Sequence, residues 1–441
     1  MRGVVIAGTG SGVGKTSVAA SLMLRLSRGM RVQPFKVGPD FIDPIYHALA
    51  CGRPSKNLDS FMMGADMIKR VAGYSAQGSD LCVVEGVRGL FEGSSGTGDE
   101  GSTAEIAKIL GLPVVLVVNA SSLTRSAAAI VNGFASFDEG VRIAGVILNN
   151  VSGDQHERKL REAMDRYSRA RVLGCVRRDG SKALEQRYLG LKALGCSDGS
   201  ALEPLRGLTD SIDASEIREI AGEADVPDAP EPPYPEARFD GVRAAVPRDD
   251  AYCFYYSDNI ECMRASGMKV EEFSPVAGDS LPDADVCYLG GGYPELFADR
   301  ISENGDFLEG LRAMHGDGKR VVGECGGLMT MCSEIACASG ERRPMAGIFD
   351  AEAKMTGIRH GPSYVVAESA SGGSARAHEY HYSDVFLRRG YRFEYRLSRG
   401  AGIAGGMDGA LSGNCVGTYM HQHALASDGW IGRMAGPSPR R

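Results

Sequence analysis

The feature that most constrains this chain is a glycine-rich turn close to residue 1. An apolar stretch over residues 4–6 runs directly into Gly8-Thr-Gly-Ser-Gly-Val-Gly-Lys15-Thr16, and a helical pattern follows over residues 17–26. This order predicts a strand, a phosphate-binding loop and a helix. In such a loop the glycines let backbone N–H groups point inward, and the helix N-terminus adds a partial positive charge. The stretch therefore predicts a nucleoside triphosphate site.

The loop motif also predicts roles for individual residues. We predict that Lys15 reaches the outer phosphates and that the Thr16 hydroxyl holds Mg²⁺. Five residues stand between Gly8 and Gly14, one more than in the usual pattern. The strand before the loop and the helix after it disfavour an accidental glycine-rich turn. The predicted nucleotide-binding residues are Gly12, Gly14, Lys15, Thr16 and Ser17.

Size and charge narrow the possible functions. The chain has 441 residues, too many for one ordinary core, and a formal net charge of −7. Its acidity argues against nucleic-acid binding, and no apolar run is long enough to cross a bilayer. The 11 cysteines show no C-x-x-C spacing for zinc or redox chemistry. With no signal peptide pattern, these features predict a cytoplasmic protein with reduced cysteines and no nucleic-acid or membrane partner.

The turn after the second predicted strand brings together one lysine and two acids. Lys36, Asp40 and Asp43 follow the strand-like residues 31–35. Because ligands bind at the carboxyl edge of a parallel sheet, this turn is predicted to lie beside the nucleotide. The alternative is that the carboxylates only cap the helix that starts near Pro44, an alternative with more weight for Asp43 than for Asp40.

A further acid directly follows an apolar strand. Glu85 comes after residues 81–84, the position expected for a second Mg²⁺ contact in a phosphate-loop protein. Glycines after it let the chain pass close to a ligand. Glu92 in the same loop is either part of this site or a solvated loop residue.

Strands and helices alternate through the rest of this half. Continuous apolar strands separated by helices indicate a parallel sheet. Asn119 and Asn149 stand at strand tips, where a ligand contact and turn chemistry explain them about equally well. The predicted elements are helices at 103–110, 126–134 and 156–167, strands at 114–118, 143–148 and 172–176, and a loop at 185–191.

A proline-dense segment over residues 226–236 marks the domain boundary. It cannot continue a helix or a central strand, because proline lacks the N–H that both require. We predict an N-terminal domain over residues 1–225, a linker over 226–240 and a second α/β domain over 241–441.

The second half contains a candidate nucleophile. Strand-like residues 320–322 open into Gly-Glu-Cys325-Gly-Gly, and a helical pattern follows. A cysteine between glycines at a strand-to-helix turn predicts a nucleophile elbow, because small neighbours permit the strained turn and the helix N-terminus favours the thiolate. The earlier turn Gly290-Gly291-Gly292 is predicted to offer backbone N–H groups to an oxyanion.

A thiol nucleophile needs a base, and two histidine clusters are available. His378 and His381 form one, and His421 and His423 form the other. A histidine at any one of these positions is more often a structural hydrogen-bonding group than a catalyst. The Cys325 elbow favours His421, which stands where a strand is expected to end.

Taken together, the chain resembles the cobyrinate a,c-diamide synthases, the glutamine-dependent tetrapyrrole amidases. The motifs span both halves in the family's order, and the phosphate loop is also similar to that of dethiobiotin synthetase. The motifs are the loop through Thr16, Lys36-Val-Gly-Pro-Asp40, Val84-Glu-Gly-Val87, Arg125-Ser-Ala-Ala-Ala129, Leu289-Gly-Gly-Gly-Tyr-Pro-Glu295, Glu324-Cys-Gly-Gly-Leu-Met329, His378-Glu-Tyr-His-Tyr-Ser383 and Tyr419-Met-His421.

The resemblance implies an ATP- and Mg²⁺-dependent synthetase domain of the dethiobiotin-synthetase type, joined to a class I glutamine amidotransferase domain. It implies that Cys325 attacks the glutamine amide and that His421 activates it, although His423 stands where class I enzymes carry Glu. The acids implied to be functional are Asp40, Glu85 and Glu92, and the implied Mg²⁺ ligands are Thr16, Glu85 and Asp40.

The resemblance also bears on the substrate. The loop Val-Arg88-Gly-Leu-Phe-Glu92 looks like that of the Ni-sirohydrochlorin a,c-diamide synthases of methanogens, which act in coenzyme F430 synthesis. The implied substrates are L-glutamine and a tetrapyrrole polycarboxylate, either Ni-sirohydrochlorin or cobyrinate, and the resemblance leaves a homodimer open. The predicted substrate-binding residues are Lys36, Asp43, Arg88, Gly291 and Gly292.

Two alternatives stay open at this point. A cobyric acid synthase-type amidase is disfavoured because its loop after the corresponding strand differs from the one at Glu85–Leu90. A partitioning-type ATPase is disfavoured because Gly10 stands where those proteins carry an extra lysine, and because such an ATPase has no use for the Cys325 elbow.

Overall fold

The computed structural model describes residues 1–178, 186–187, 190–191 and 199–436. The chain divides into two compact units, Met1–Pro233 and Tyr234–Arg441. The division falls inside the proline-rich segment. The predicted loop at 185–191 lies largely outside the described residues. In the part that the structure describes, no helix is long and apolar enough to span a membrane.

The first unit is built on a seven-stranded sheet in which every neighbouring pair is parallel. Its strands are β1 (Gly3–Gly8), β2 (Val32–Val37), β3 (Lys56–Leu58), β4 (Leu81–Glu85), β5 (Val114–Asn119), β6 (Ile143–Val151) and β7 (Arg171–Arg177), followed by the small hairpin β8 (Gln186–Arg187) and β9 (Gly190–Leu191). Its helices are α1 (Lys15–Leu26), α2 (Ile42–Cys51), α3 (Ser60–Ala76), α4 (Thr103–Leu110), α5 (Arg125–Phe137), α6 (Asp154–Tyr167) and α7 (Ala214–Ala221), with a 3₁₀ turn at Gly199–Leu205.

The strand order of this sheet is β3-β2-β4-β1-β5-β6-β7. All residues of β1, β2 and β4 are buried, as expected for continuous apolar strands with protein on both faces. Because these three strands are adjacent and parallel, the loops that follow them leave the sheet at one edge. The phosphate loop, the Lys36 turn and the Glu85 loop are therefore neighbours.

The second unit combines a parallel sheet with long antiparallel strands. Its strands are β10 (Arg243–Pro247), β11 (Tyr252–Phe254), β12 (Lys269–Phe273), β13 (Val286–Leu289), β14 (Gly291–Gly292), β15 (Arg320–Glu324), β16 (Cys332–Ala336), β17 (Arg342–Pro344), β18 (Phe349–Ser369), β19 (Ser374–Leu387), β20 (Arg392–Arg399), β21 (Met407–Ser412), β22 (Cys415–Thr418) and β23 (His421–Ser427). Its helices are α8 (Ser257–Ala265), α9 (Ala298–Glu303), α10 (Gly305–Gly316), α11 (Gly326–Met331) and α12 (Trp430–Ala435), with 3₁₀ turns at Pro275–Ala277 and Pro294–Leu296.

The parallel part of this sheet has the order β12-β10-β13-β15-β22. Strands β21, β20 and β18 continue it in antiparallel fashion, and β19 joins β18 to β23. The pairing of β15 with β22 places the end of β15 beside the end of β22. The Cys325 turn and the residues just before His421 are therefore close together.

The predicted fold class is confirmed: a doubly wound parallel sheet that carries the phosphate loop is followed by a second α/β domain. The predicted helix at 103–110 coincides with α4, whereas α6 begins two residues before the predicted 156 because its first turn is polar. The long strands β18 and β19 had no counterpart in the sequence analysis.

Candidate active sites

The phosphate loop between β1 and α1 has the backbone that phosphate binding needs. Gly12 and Gly14 have positive φ values of 75° and 87°. A side chain at position 14 would collide with the Asn149 amide, which donates to the Val13 carbonyl over 2.8 Å. Asn149, noted above as a strand-tip residue, thus supports the loop from β6. Ser17 is half-buried in the first turn of α1.

Lys15 and Thr16 begin α1 and have different surroundings. The Lys15 Nζ donates to the Arg88 carbonyl over 3.2 Å, and within residues 1–178 this ammonium forms no ion pair with a carboxylate. The Thr16 hydroxyl donates to Glu85 Oε1 over 2.7 Å and lies 3.2 Å from Asp43 Oδ2. The charge of Lys15 is therefore available to a ligand, whereas Thr16 is tied to the acids.

Lys36 lies at the centre of a buried acidic cluster. It stands opposite Glu85 in the pairing of β2 with β4, and its Nζ is 3.0 Å from Glu85 Oε1. Lys36 also forms an ion pair with Asp43, and its Nζ lies 4.0 Å from Asp40 Oδ2. Three carboxylates around one ammonium leave an excess of negative charge. We call this group, Lys36, Asp40, Asp43 and Glu85, the acidic cluster.

The protonation states of the cluster follow from burial and from its charges. Burial opposes the charge of Lys36, but Asp43 and Glu85 raise the pKa of its ammonium well above the ordinary value. Burial likewise opposes ionisation of Glu85, but Lys36 and His47 lower the pKa of this carboxyl below its usual range. Burial and then the charge of Asp40 raise the pKa of Asp43. Lys36 and Glu85 are thus charged near neutral pH.

The capping alternative applies to Asp40 and not to Asp43, the reverse of the weighting from sequence. Asp40 Oδ1 accepts hydrogen bonds from the backbone N–H groups of Ile42 and Asp43, over 2.8 and 3.0 Å, at the start of α2. The Asp43 side chain turns inward instead, toward Lys36 and Thr16. Asp40 caps the helix with one oxygen and faces Lys36 with the other.

Arg88 and Glu92 lie at the exposed end of the loop after β4. Arg88 is exposed and has a positive φ of 47°, and its carbonyl receives the Lys15 hydrogen bond. Glu92 is also exposed, and its Oε2 accepts the Gly89 N–H over 2.9 Å. No hydrogen bond or ion pair in the described part of the chain joins Glu92 to the acidic cluster. The structure therefore agrees with the solvated-loop alternative for Glu92.

Cys325 occupies a strained turn between β15 and α11. Its φ and ψ are 50° and −101°, and its N–H donates to the Thr418 carbonyl over 2.7 Å. The glycines after it are required by crowding: a Cβ at Gly326 would lie 3.1 Å from the Gly292 nitrogen, and one at Gly327 would collide with Leu289. This is the geometry of a nucleophile elbow, and it places the Gly292 backbone beside the Cys325 turn.

The surroundings of Cys325 favour its thiol form. Burial, and then the nearby Glu295, raise the pKa of Cys325 to about 12. Its Sγ lies 4.0 Å from the Tyr380 carbonyl. Because the thiolate is the reactive form, a base would have to accept this proton if Cys325 acts as the predicted nucleophile.

His421 begins β23 and is almost completely buried. Its ring lies against Gly291 so closely that a Cβ at position 291 would overlap it. It also stacks on His378, with ring centroids 5.0 Å apart. Burial and then His378 lower the pKa of His421 well below its ordinary value, which favours the neutral imidazole.

His423 does not adjoin His421 as an orienting group. Its Nε2 lies 3.5 Å from Asp258 Oδ2, and its ring packs against Tyr256 at 4.6 Å. The imidazole stacked on His421 belongs to His378, whose Nδ1 lies 2.9 Å from the Tyr256 hydroxyl. His423 is therefore anchored to α8 and the residue before it.

Comparison with known proteins finds two family models, each of which covers one of these sites. A model described as "CobQ/CobB/MinD/ParA nucleotide binding domain" matches residues 4–187, and one described as "CobB/CobQ-like glutamine amidotransferase domain" matches residues 243–429. A cobyrinate a,c-diamide synthase of Methanothermobacter thermautotrophicus is 42% identical over 436 residues and 96% of both chains. The chain belongs to the cobyrinate a,c-diamide synthase family.

Two further relatives of the same name are 40% identical over 439 residues. The one from Methanosphaera stadtmanae is covered over 96% of each chain, and the one from Methanocaldococcus jannaschii over 97% of each chain. A solved structure described as a glutamine amidotransferase covers 41% of this chain and 90% of its own, with 18% identity and a TM-score of 0.31. The family assignment depends on the full-length relatives.

The structure gathers most predicted residues into two groups. Lys15, Thr16, Lys36 and the three acids of the cluster form the first. The second contains Cys325, His421, Gly291 and Gly292. Arg88 joins the first group through its carbonyl, and Glu92 lies outside both.

Two buried side chains, Asp408 and His47, contact the candidate sites but are not marked by any sequence motif. Asp408 accepts the Thr418 hydroxyl over 2.6 Å and the N–H groups of Tyr419 and Met420, each over 3.0 Å. It thereby holds the segment that leads into His421. The other is His47, which bonds to Glu85. An isolated Asp on a strand and a His inside a helix carry no spacing signal from which such contacts could be read.

Gly291→Ala is expected to lower glutamine-supported activity by about 10²-fold, the usual effect of displacing one catalytic group. The added methyl group would lie 2.3 Å from Cε1 of the buried His421 ring and would displace this ring. Ammonia-supported activity should stay unchanged in the same initial-rate assay. Gly316→Ala is the control, because nothing lies within 4 Å of its added Cβ. Equal activity of the two variants would show that His421 does not need its present position.

Proposed function

We propose that this chain amidates the a- and c-acetate carboxylates of a tetrapyrrole, using glutamine as the nitrogen source and ATP as the energy source. The observation that carries the proposal is that one chain holds both a phosphate loop with an adjoining acidic cluster and a cysteine elbow close to a buried histidine. The names of the relatives, cobyrinate a,c-diamide synthase, support the tetrapyrrole as substrate.

The residues of the first unit fit MgATP. Gly12 and Gly14 shape the loop for phosphate oxygens, and Lys15 has an ammonium without a carboxylate partner in residues 1–178. Thr16 and Glu85 offer oxygen ligands, with Asp40 close by. No group of three His, Cys, Asp or Glu side chains in the described residues forms a metal cage, so phosphate and water would complete the coordination of Mg²⁺. When bound, Mg²⁺ would neutralise charge on the phosphates.

The ATP half-reaction activates the substrate carboxylate. A carboxylate oxygen attacks the γ-phosphorus of ATP, the bond to the β-phosphate oxygen breaks, and ADP leaves. Lys15 stabilises the charge that develops on the transferred phosphoryl group, since its position is the one this lysine has in phosphate loops. The product is an acyl phosphate. Ammonia then attacks the acyl carbon, loses a proton and displaces inorganic phosphate, leaving the amide.

The glutaminase half-reaction supplies the ammonia. The Cys325 thiol gives its proton to His421, and the thiolate attacks the glutamine side-chain amide. The backbone at Gly291 and Gly292 lies next to the nucleophile and is suited to hold the oxyanion. Collapse of the tetrahedral intermediate returns the proton to the leaving nitrogen and releases ammonia. Water then hydrolyses the glutamyl thioester to glutamate and regenerates the thiol.

Arg88 favours a polycarboxylate substrate at the first site. Its guanidinium is exposed and makes no hydrogen bond or ion pair within residues 1–178, while its carbonyl is fixed to Lys15. A cation in this position can bind a carboxylate of a large substrate close to the phosphate loop. The Arg88 loop also resembles that of the Ni-sirohydrochlorin enzymes, so we propose Ni-sirohydrochlorin as a substrate beside cobyrinate.

The function is tested by incubating the protein with glutamine, MgATP and either cobyrinate or Ni-sirohydrochlorin. Products are read by mass spectrometry, in which each amidation replaces one hydroxyl by an amino group. Two replacements on either compound support the proposal, and the compound that reacts identifies the substrate. Amidation of neither compound would refute the tetrapyrrole proposal. Amidation at more than two carboxylates would instead favour the cobyric acid synthase type.

A further inference from the structure

The two oxygens of Glu85 are held by different partners. Oε1 accepts from the Thr16 hydroxyl over 2.7 Å and from Lys36 over 3.0 Å. Oε2 lies 2.6 Å from the Nε2 of His47. Glu85 and His47 are completely buried. Oε1 therefore faces the phosphate loop, and Oε2 is held by His47 on the opposite side.

The position of His47 follows from the geometry of α2. Asp43 and His47 are four residues apart on this helix, so both project from the same face. That face is buried and turned toward the ends of β2 and β4, which brings Asp43 to Lys36 and His47 to Glu85. The second ring nitrogen of His47 lies 3.3 Å from the Ser55 hydroxyl, so the ring is held on both sides.

We propose that His47 is a positioning residue that holds Glu85 so that Oε1 faces Thr16 at the Mg²⁺ side of the nucleotide. A carboxylate that rotates freely presents either oxygen, and a partner on Oε2 removes that freedom before the ligand arrives. Partners of this kind fix the orientation of metal ligands and contribute substantially to metal affinity. The inference rests on the proposed nucleotide site and goes beyond it, because it gives a role to a buried residue that contacts Glu85 and Ser55.

Lys36 cannot replace His47 in this role. Its ammonium lies on the Oε1 side of Glu85 and is shared with Asp43, Asp40 and the Gly86 carbonyl. Loss of the imidazole would leave Oε2 buried without its partner. The carboxylate would then rotate or admit water, and its alignment with Thr16 would be lost.

The test measures binding of the non-hydrolysable analogue AMP-PNP by calorimetry at stepwise Mg²⁺ concentrations and in EDTA. His47→Ala is expected to raise the Mg²⁺ concentration for half-maximal binding by about 10- to 100-fold. Affinity in EDTA should not change, because the hydrogen bonds of the His47 ring go to Glu85 and Ser55 and not to the phosphate loop. His47→Gln, which can place an N–H near the Nε2 position, should recover most of the loss. His156→Ala is the control, since this histidine bonds to the Leu123 carbonyl instead.

The outcomes separate the inference from the proposed function. If the unaltered chain binds AMP-PNP with Mg²⁺ and His47→Ala behaves like His156→Ala, the positioning role is refuted and the nucleotide site stands. Equal loss of affinity with and without Mg²⁺ would also refute it, because that pattern indicates general damage. If the unaltered chain does not bind AMP-PNP, the nucleotide site itself is wrong. Should His47→Ala fail to fold, His47→Asn makes the same comparison, since its shorter amide does not reach Glu85.

Discussion

Cys325→Ala is expected to lower glutamine-supported amidation by about 10³-fold or more, while ammonia-supported amidation stays near its original rate. This substitution removes only the thiol group from the elbow, and alanine is small enough for the crowded turn. Without it, no glutamyl thioester forms and no ammonia is released. The phosphate loop and the acidic cluster belong to the other unit, so added ammonia should still be used. Initial rates with each nitrogen source measure the difference.

A second cysteine of the same unit provides the control. Cys337 is a half-buried free thiol near the Glu295 carbonyl, and Cys337→Ala should keep both activities. Thermal unfolding of both variants checks that the substitutions leave the fold intact. Equal loss of the two activities in folded Cys325→Ala protein would contradict the assignment of glutamine hydrolysis to one unit and synthesis to the other.

The fold was predictable because its signals are local and repeated. Apolar strands such as β4 and β5 are continuous and buried, and each is bounded by polar or glycine-rich turns. The phosphate loop and the Cys325 elbow are spacing motifs, which sequence records directly. By contrast, β18 runs for 21 residues through glycines and charged side chains without a clean alternation. Its pairing with β19 comes from tertiary contacts that no short window of sequence shows.

The sites were predictable only in part, for a related reason. Lys36 and Glu85 come after successive strands of the sheet, and parallel topology brings such positions together. Glu92 follows the same strand as Glu85, but the loop carries it outward, and sequence alone does not give the path of a loop. Asp408 lies on β21 and bonds to Thr418 on the neighbouring strand β22, just before His421. Contacts of that kind depend on side-chain packing rather than on motif spacing.

Lys15→Ala is expected to lower amidation by about 10²- to 10³-fold with either nitrogen source. Two buried lysines lie near the proposed nucleotide site, and their partners distinguish them. Lys36 forms ion pairs with Asp43 and Glu85. Lys15 instead donates a hydrogen bond to a carbonyl oxygen, so its positive charge is available to a ligand. Burial and then Lys36 lower the pKa of Lys15, so its ammonium is poorly stabilised until an anion binds. Phosphate oxygens supply that anion, and Lys15→Ala removes the ammonium that would stabilise their charge beside Mg²⁺.

The glutaminase reaction separates this result from general damage. Glutamate release from glutamine should persist in Lys15→Ala, because Cys325 and His421 lie in the other unit. Lys108→Ala is the matched control: this lysine pairs with Asp99 and Asp138 near the surface, where an ion pair contributes little. Retained ammonia-supported amidation in Lys15→Ala would mean that the phosphate loop is not the catalytic nucleotide site. Loss of the glutamine-supported reaction alone would instead indicate that Lys15 couples the two half-reactions. The position of Lys15 at the start of α1 does not suggest such a role.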